Sequence, residues 1–313
     1  MLDLQFPSGK ISSKRLIAEG GYGFVYEATN ESGEVLALKQ MIVPDSDDNK
    51  IKYCKREISI LKHLPPCRHI VRYVDSIRVH RKDLKQRHYF LLTEMGRCNL
   101  WDFMTQSNGF GSEEFILFIF SQVCRAIRHL HHQSPPIAHR DVKIENLLVG
   151  YDGAIKLCDF GSCDWHTEVP PESARDQKWL EIAEDIESRV SIAVRAPEQL
   201  DLYSRQCINE KVDIWALGVL LFLLSTGKHP FAVPSSGIIE KLGIVNCRYT
   251  FPPSWSHSAG LKQFIEKFLI ANPANRPSID EIVILALEMK SNGELELWPE
   301  ERYDDSLSSF SDT

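Results

Sequence analysis

The chain predicts an α+β fold in two parts, a β-rich N-terminal part with one helix and a mainly α C-terminal part. Three observations carry this. From Lys14 to Glu94, short runs rich in β-branched and aromatic residues recur between turn signals. Among them, one segment sets Ile51, Cys54, Ile58 and Leu61 at three- and four-residue spacing, a single buried helical stripe. From about Leu100 onward the pattern turns helical.

The strands follow in order as RLIAEG, FVYEAT, EVLALKQ, HIVRYVDSIRV and RHYFLLTE, with Gly33 turning the chain between the second and third. The basic run from Arg78 to Arg87 reads as a solvated hairpin tip. Ser112 caps a long, mostly buried helix that opens with Glu113 and Glu114 and runs toward Pro135. Trp179, Ile182, Ala183, Ile186 and Val190 predict a helix over 178–190, opposite Glu181, Glu184, Asp185 and Glu187. The run VDIWALGVLLFLL is apolar nearly all round and suits a central buried helix. Ser278 with Glu281 forms a capping box before a last helix ending near Met289. The resulting division is an N-terminal extension over 1–14, a strand-rich lobe over 15–95, a helical lobe over 96–298 and a disordered acidic, Ser-rich tail over 299–313.

The 313 residues, 43% apolar and 25% charged, are enough for a sizeable core. Thirty-six basic against 43 acidic side chains give a formal charge of −7, which argues against nucleic acid as the partner. The eight cysteines contain no C-x-x-C pair, so free thiols in a reducing compartment are expected. The N-terminal MLDLQFPSGK lacks an apolar signal core, Leu2 excludes N-myristoylation, and the apolar stretch from Ile214 to Gly227 is too short to span a bilayer. We therefore expect a cytoplasmic protein with no direct membrane insertion. His129, His131 and His132, at a helix C-terminus, are expected to complement exposed carbonyls rather than bind metal.

The run Glu19-Gly20-Gly21-Tyr22-Gly23-Phe24-Val25 lies between two strands, where glycines let backbone N–H groups approach a phosphate chain. The segment after it reads as strand rather than helix, which argues against a dinucleotide fingerprint. Lys39 ends an apolar strand and Glu57 lies on the helix that follows, so a carboxylate is available to orient the ammonium. His139-Arg140-Asp141, Lys143, Asn146 and then Asp159-Phe160-Gly161 supply a proton acceptor, a cation and metal-ligating oxygens. Arg195-Ala196-Pro197-Glu198 and Asp213 complete the order.

From about Arg15 to Met289 these motifs resemble the eukaryotic protein kinase family. The resemblance implies the bilobal protein-kinase fold, ATP in the cleft, and Mg2+ with Mn2+ as a substitute. It assigns nucleotide contact to Ala18, Glu19, Gly20, Gly21, Tyr22, Gly23, Val25, Ala37, Lys39, Leu148 and Cys158, with Thr93 as gatekeeper and Glu94, Met95 and Gly96 as hinge. Ala18 stands where the family has its first loop glycine, and a methyl group there asks for negative φ. By the same resemblance Asp141 is catalytic base, Lys143 neutralises the γ-phosphate, Lys39 pairs with Glu57, and Asn146 and Asp159 hold metal. Glu198 is expected to pair with Arg276, and Asp213 to support the catalytic-loop backbone.

Lys143 two places after Asp141, and Ser191 seven before Glu198, resemble serine/threonine kinases. Cys158 before and GSC after Asp159-Phe160, together with CKREISIL and EDIESRVSIAVRAPEQLDLYSRQ, resemble the Numb-associated kinases, the clathrin-adaptor kinase group, which implies an endocytic adaptor subunit as substrate and association with vesicles through partners. Arg140 is positioned by motif to receive a phosphate, yet no flanking pattern supports activation by phosphorylation, so constitutive activity is expected. Two readings compete: a pseudokinase scaffold that binds nucleotide or partners without turnover, and transfer to a small molecule. Every catalytic position is filled, and the long segment before Glu198 forms a peptide platform in protein kinases, which weighs against each in turn.

Overall fold

The computed structural model describes residues 2–20, 23–106, 111–233 and 235–290. Gly21 and Tyr22, and the C-terminal stretch that includes 299–313, lie outside the described residues. The N-terminal lobe is an antiparallel sheet of β1 (Asp3–Phe6), β2 (Gly9–Gly20), β3 (Gly23–Asn30), β4 (Val35–Pro44), β5 (Tyr73–Arg81) and β6 (Gln86–Glu94), with α1 (Asp48–His63) between β4 and β5. Its strand order is β1-β2-β3-β4-β6-β5. Period-two alternation sorts the two faces. Leu36 and Leu38 of β4 join Phe6, Ile11, Phe90 and Leu92 in one cluster, whereas Met41 and Val43 face α1 and the main core. Lys39 shares the parity of Met41, which puts it on the α1 side.

Strand begins well before Lys14. Leu2, Leu4 and Phe6 alternate and share one apolar cluster with Val74, Ile77 and Val79 of the opposite edge strand, so the sheet is curled over a second core. Residues read as an N-terminal extension over 1–14 thus enter the sheet, because an apolar residue every second position gives β1 a buried side. The strand predicted from His69 begins at Tyr73 instead, since Ile70 is drawn into a bridge with Leu157. On α1, Ile58 is only half-buried, and Glu57 and Ile60 take the inward positions. Asp47 caps this helix through the Lys50 amide.

The second lobe comprises α2 (Leu100–Gln106), α3 (Glu113–His131), α4 (Gln177–Arg189), α5 (Pro197–Leu200), α6 (Lys211–Thr226), α7 (Lys241–Val245), α8 (Ala259–Glu266) and α9 (Ile279–Lys290). A three-stranded sheet of β7 (Cys98–Asn99), β8 (Leu147–Val149) and β9 (Ile155–Leu157) lies toward the first lobe. Ser112 caps α3 by accepting from the Phe115 amide, and the helix stops at His131, short of the predicted Pro135. The capping box before α9 is reciprocal: Ser278 N donates to Glu281 at 2.6 Å and Glu281 N to Ser278 Oγ at 3.2 Å. α6 is buried nearly all round, with Trp215 stacked on Phe231. Among the described residues no helix is long and apolar enough to cross a membrane, no metal-binding group of His, Cys, Asp or Glu occurs, and all eight cysteines are free.

Glu198 and Arg276 form a two-pronged ion pair, 2.7 Å on each side, with neither side chain exposed. The guanidinium also donates to the carbonyls of Ile270, Lys211 and Ala271. Arg276→Met would strand the Glu198 carboxylate and three carbonyls in the interior. The expected loss is about 3–5 kcal/mol, read as a melting temperature lowered by about 10 °C; an unchanged melting curve would refute the structural role.

Candidate active site

The cleft between the lobes is built from four local structures. β2 and β3 meet as a hairpin in which Ala18 opposes Val25, Glu19 opposes Phe24 and Gly20 opposes Gly23. Gly23 sits at φ +132°, and a Cβ there would fall 2.0 Å from the Gln40 carbonyl oxygen, so only glycine lets β3 pass this close to β4. Ala18 is absent from the positive-φ residues, so its methyl group is accommodated in ordinary strand geometry. Ala37 pairs with Thr93, and Leu36 with Glu94, which carries the sheet into the hinge.

At the hinge, Glu94 Oε1 accepts from the Arg72 amide at 2.7 Å and lies 3.2 Å from Lys156 Nζ. Lys156, on β9, is buried and also donates to the Arg68 carbonyl, so one lysine ties the lower sheet to the hinge. Sequence reasoning missed it; the available signal was a lysine between buried Ile155 and Leu157. A Cβ on Gly96 would lie 2.9 Å from Leu148 Cβ, so the glycine sets how closely the hinge approaches β8. Met95 follows Glu94 along the same turn, and Cys158 precedes Asp159. Burial pushes the Cys158 thiol up to about 12, which makes it a neutral packing group rather than a thiolate.

Lys39 Nζ lies 2.7 Å from Glu57 Oε1 and 2.8 Å from Asp159 Oδ1. Burial opposes the lysine charge, but the Asp159 and Glu57 carboxylates outweigh it and hold the ammonium above its ordinary range. Burial raises the Glu57 carboxyl, with Lys39 counteracting it. Burial also works against the Asp159 charge, yet Lys39 prevails and lowers that carboxyl to about 2. Asp159 adopts φ +59° and accepts from the Gly161 amide at 3.4 Å. Phe160 is buried edge-on to the His139 ring, 5.1 Å between centroids.

The loop carrying Asp141 is held from beneath. Asp213, on α6 and fully buried, accepts from the backbone amides of His139 and Arg140 at 2.7 Å each and from His131 Nε2 at 2.9 Å. Arg140 stands at φ +67°, a conformation that this double acceptor fixes. His131 therefore reaches Asp213, His129 the Pro65 carbonyl and His132 Asp280, instead of capping the carbonyls of their own helix. Burial lowers the His139 pKa despite Asp213, so its imidazole is neutral. The loop is stitched to the Asp159 segment by Cys158 N on the Asn146 carbonyl at 2.9 Å and by His139 Nε2 on the Cys158 carbonyl at 3.2 Å.

Asp141 Oδ2 lies 2.8 Å from Lys143 Nζ and accepts from Asn146 Nδ2 at 2.9 Å. Its other oxygen, Oδ1, is buried with no hydrogen-bond partner among the described residues, so its acceptor capacity is unspent. Lys143 also donates to Ser191 Oγ at 2.6 Å. Asn146 turns its nitrogen to Asp141, which leaves its carboxamide oxygen as the ligand atom, and the Asp159 side chain is 34% exposed. An amide oxygen and an ionised carboxylate are hard donors of the kind magnesium or manganese takes, so Asn146 and Asp159 fit a metal held with nucleotide phosphates. A magnesium nucleotide, when bound, supplies the transferable phosphoryl group and screens its charge.

The structure thus brings Lys39, Glu57, Asp141, Lys143, Asn146 and Asp159 to one cleft, with the described members of the glycine-rich hairpin and the hinge residues around it. Comparison with known proteins agrees with that geometry. A protein kinase domain model matches residues 11–285. A probable serine/threonine-protein kinase of Dictyostelium discoideum is 36% identical over 89% of this chain and 24% of its own length. The serine/threonine-protein kinase ppk30 of Schizosaccharomyces pombe is 34% identical over 92% of this chain and 29% of its own. The actin-regulating kinase PRK1 of Saccharomyces cerevisiae is 33% identical over 86% and 33% respectively. The chain spans about a quarter to a third of the length of these curated relatives. With its motifs assembled in one cleft and a family model covering most of its length, the chain belongs to the protein kinase domain family.

Proposed function

We propose that this protein transfers the γ-phosphoryl group of ATP to serine or threonine hydroxyls of protein substrates. The observation that carries the reading is the Lys143 ammonium, which contacts both Asp141 Oδ2 and Ser191 Oγ. A hydroxyl entering beside that lysine meets the free Asp141 oxygen as proton acceptor, with the cation next to the group being transferred. A cavity of about 680 Å³ opens beside Lys143 and Glu145, walled by Val194, Val219, Phe222 and Phe251, and offers an apolar-walled space next to the lysine that a substrate side chain can enter. A nucleotide-binding scaffold without turnover is disfavoured by the same completeness, since each ion pair of the cleft is formed.

Within this reading, the resemblance to Numb-associated kinases supports an endocytic adaptor subunit as substrate and a cytoplasmic location with recruitment to vesicles by partners. The direct test is radiolabelled ATP with magnesium, purified protein and a panel of Ser-, Thr- and Tyr-containing peptides, adaptor sequences among them, with sites read by mass spectrometry. Label on Ser or Thr is expected. Label confined to Tyr, or bound nucleotide with no transfer to any peptide, would sink the proposal.

A further inference from the structure

Arg56 on α1, Arg140 in the catalytic loop and Arg189 on α4 are far apart in the chain, yet they meet at two carboxylates. Asp185 of α4 accepts from Arg140 and from Arg189, each at 2.7 Å. Asp164 takes Arg56, and lies 3.4 Å from Arg140 and 3.5 Å from Arg189. The arginines are buried, with side-chain exposures of 8%, 7% and 1%. Tyr53 of α1 joins them: its ring lies under the Arg189 guanidinium at 4.4 Å, and its phenol, raised to about 12 by burial and then by Asp185, hydrogen-bonds that carboxylate. Arg189 further donates to the carbonyls of Gly161 and Cys163 at 3.2 and 2.7 Å.

A buried guanidinium needs an anion, and a phosphate added to the segment between Asp159 and Glu198 is one way to supply it. Here the segment brings its own. Ile182 and Ile186 bury one face of α4, Asp176 caps its start, and that seating fixes Asp185 beside Arg140. We propose that Asp185 is a positioning residue, whose carboxylate holds Arg140 and Tyr53 together so that the catalytic loop and α1 keep their working arrangement without covalent modification. It acts through Arg140 on the adjacent Asp141, and through α1 on the Lys39–Glu57 pair. This inference rests on the phosphotransferase reading above.

The test compares kcat, KM for ATP and melting temperature of the parent, Asp185→Asn, Asp185→Glu and the exposed control Glu184→Gln, with the parent also assayed after phosphatase treatment. A misplaced catalytic loop is expected to lower kcat of Asp185→Asn by about a hundredfold, with KM for ATP within about twofold of the parent. Asp185→Glu should recover most of that loss, Glu184→Gln should match the parent, and phosphatase should leave the parent's rate unaltered. A folded Asp185→Asn with the parent's kcat overturns the proposal. So does a parent that loses its rate to phosphatase and regains it on phosphorylation, an arm that decides the matter even if Asp185→Asn does not fold. A parent silent in every state overturns the phosphotransferase reading itself and this inference with it, and is recognised because the parent rather than the variant fails.

Discussion

Asp141→Asn is expected to lower kcat by about 10²–10⁴-fold while leaving ATP affinity near that of the parent. Asparagine keeps the size of the side chain and an oxygen to accept from Asn146, but it cannot take up the proton of an attacking hydroxyl. The atom that matters is Oδ1, buried and without a hydrogen-bond partner among the described residues. Lys143 loses an ionic contact of 2.8 Å and retains Ser191 at 2.6 Å, so its ammonium stays in place. Lys39 is held by Glu57 and Asp159, and Glu94 of the hinge by the Arg72 amide and Lys156, so the groups assigned to the nucleotide keep their anchors and nucleotide affinity should survive. Steady-state kinetics with calorimetric ATP binding separates the two effects. Transfer at the parent's rate would remove the base assignment, and a matched loss of ATP affinity would show that the residue is needed for the ground state as well.

How far this site could be read in the sequence follows from the range of the interactions involved. Elements set by local periodicity and capping were legible: the Ser112 and Ser278 caps, the all-round apolar α6, and α4 from its spacing of Ile182 and Ile186. The ordered motifs likewise located Lys39, Asp141, Asn146 and Asp159, and the family resemblance anticipated the Glu198–Arg276 and Asp213 contacts. β1 escaped because four residues before a Pro7 turn carry too short an alternation to distinguish from a loose end. Apolar spacing points Ile58 inward on α1 because it carries no sign that Glu57 will find Lys39 across the cleft. His131 and Asp213 are 82 residues apart, and Arg140 and Asp185 45 apart. Such pairs leave no local trace; only tertiary placement selects one partner from several candidates of the right charge.

Asp159→Asn should remove turnover and, unlike Asp141→Asn, should also weaken magnesium-dependent nucleotide binding. The substitution replaces an ionised carboxylate by a neutral amide at a site where the other protein donor is a single carboxamide oxygen, so little charge remains to hold a divalent cation. It also frees one side of Lys39, whose contact to Glu57 at 2.7 Å persists and keeps α1 in place. Binding measured with and without magnesium isolates the metal contribution: the parent should gain affinity from magnesium and the variant should not. The pH dependence gives an independent check with a defined sign. Burial works to raise the Asp159 pKa, but Lys39 outweighs it and leaves the folded-state value at about 2, below its ordinary 3.8. A depressed carboxyl contributes stability and ligand charge that are fully present above the ordinary value and lost only as pH falls toward 2. The terminal phosphate of the nucleotide itself titrates at about pH 6, so the comparison is with free magnesium nucleotide: beyond that common change, Asp159 should add no pH dependence to binding by the parent from about pH 5 to 8, where Lys39 also stays charged. A further steep rise, absent from free magnesium nucleotide, would mean that the carboxylate is not ionised beforehand, and that the Lys39–Asp159 contact does not exist in solution.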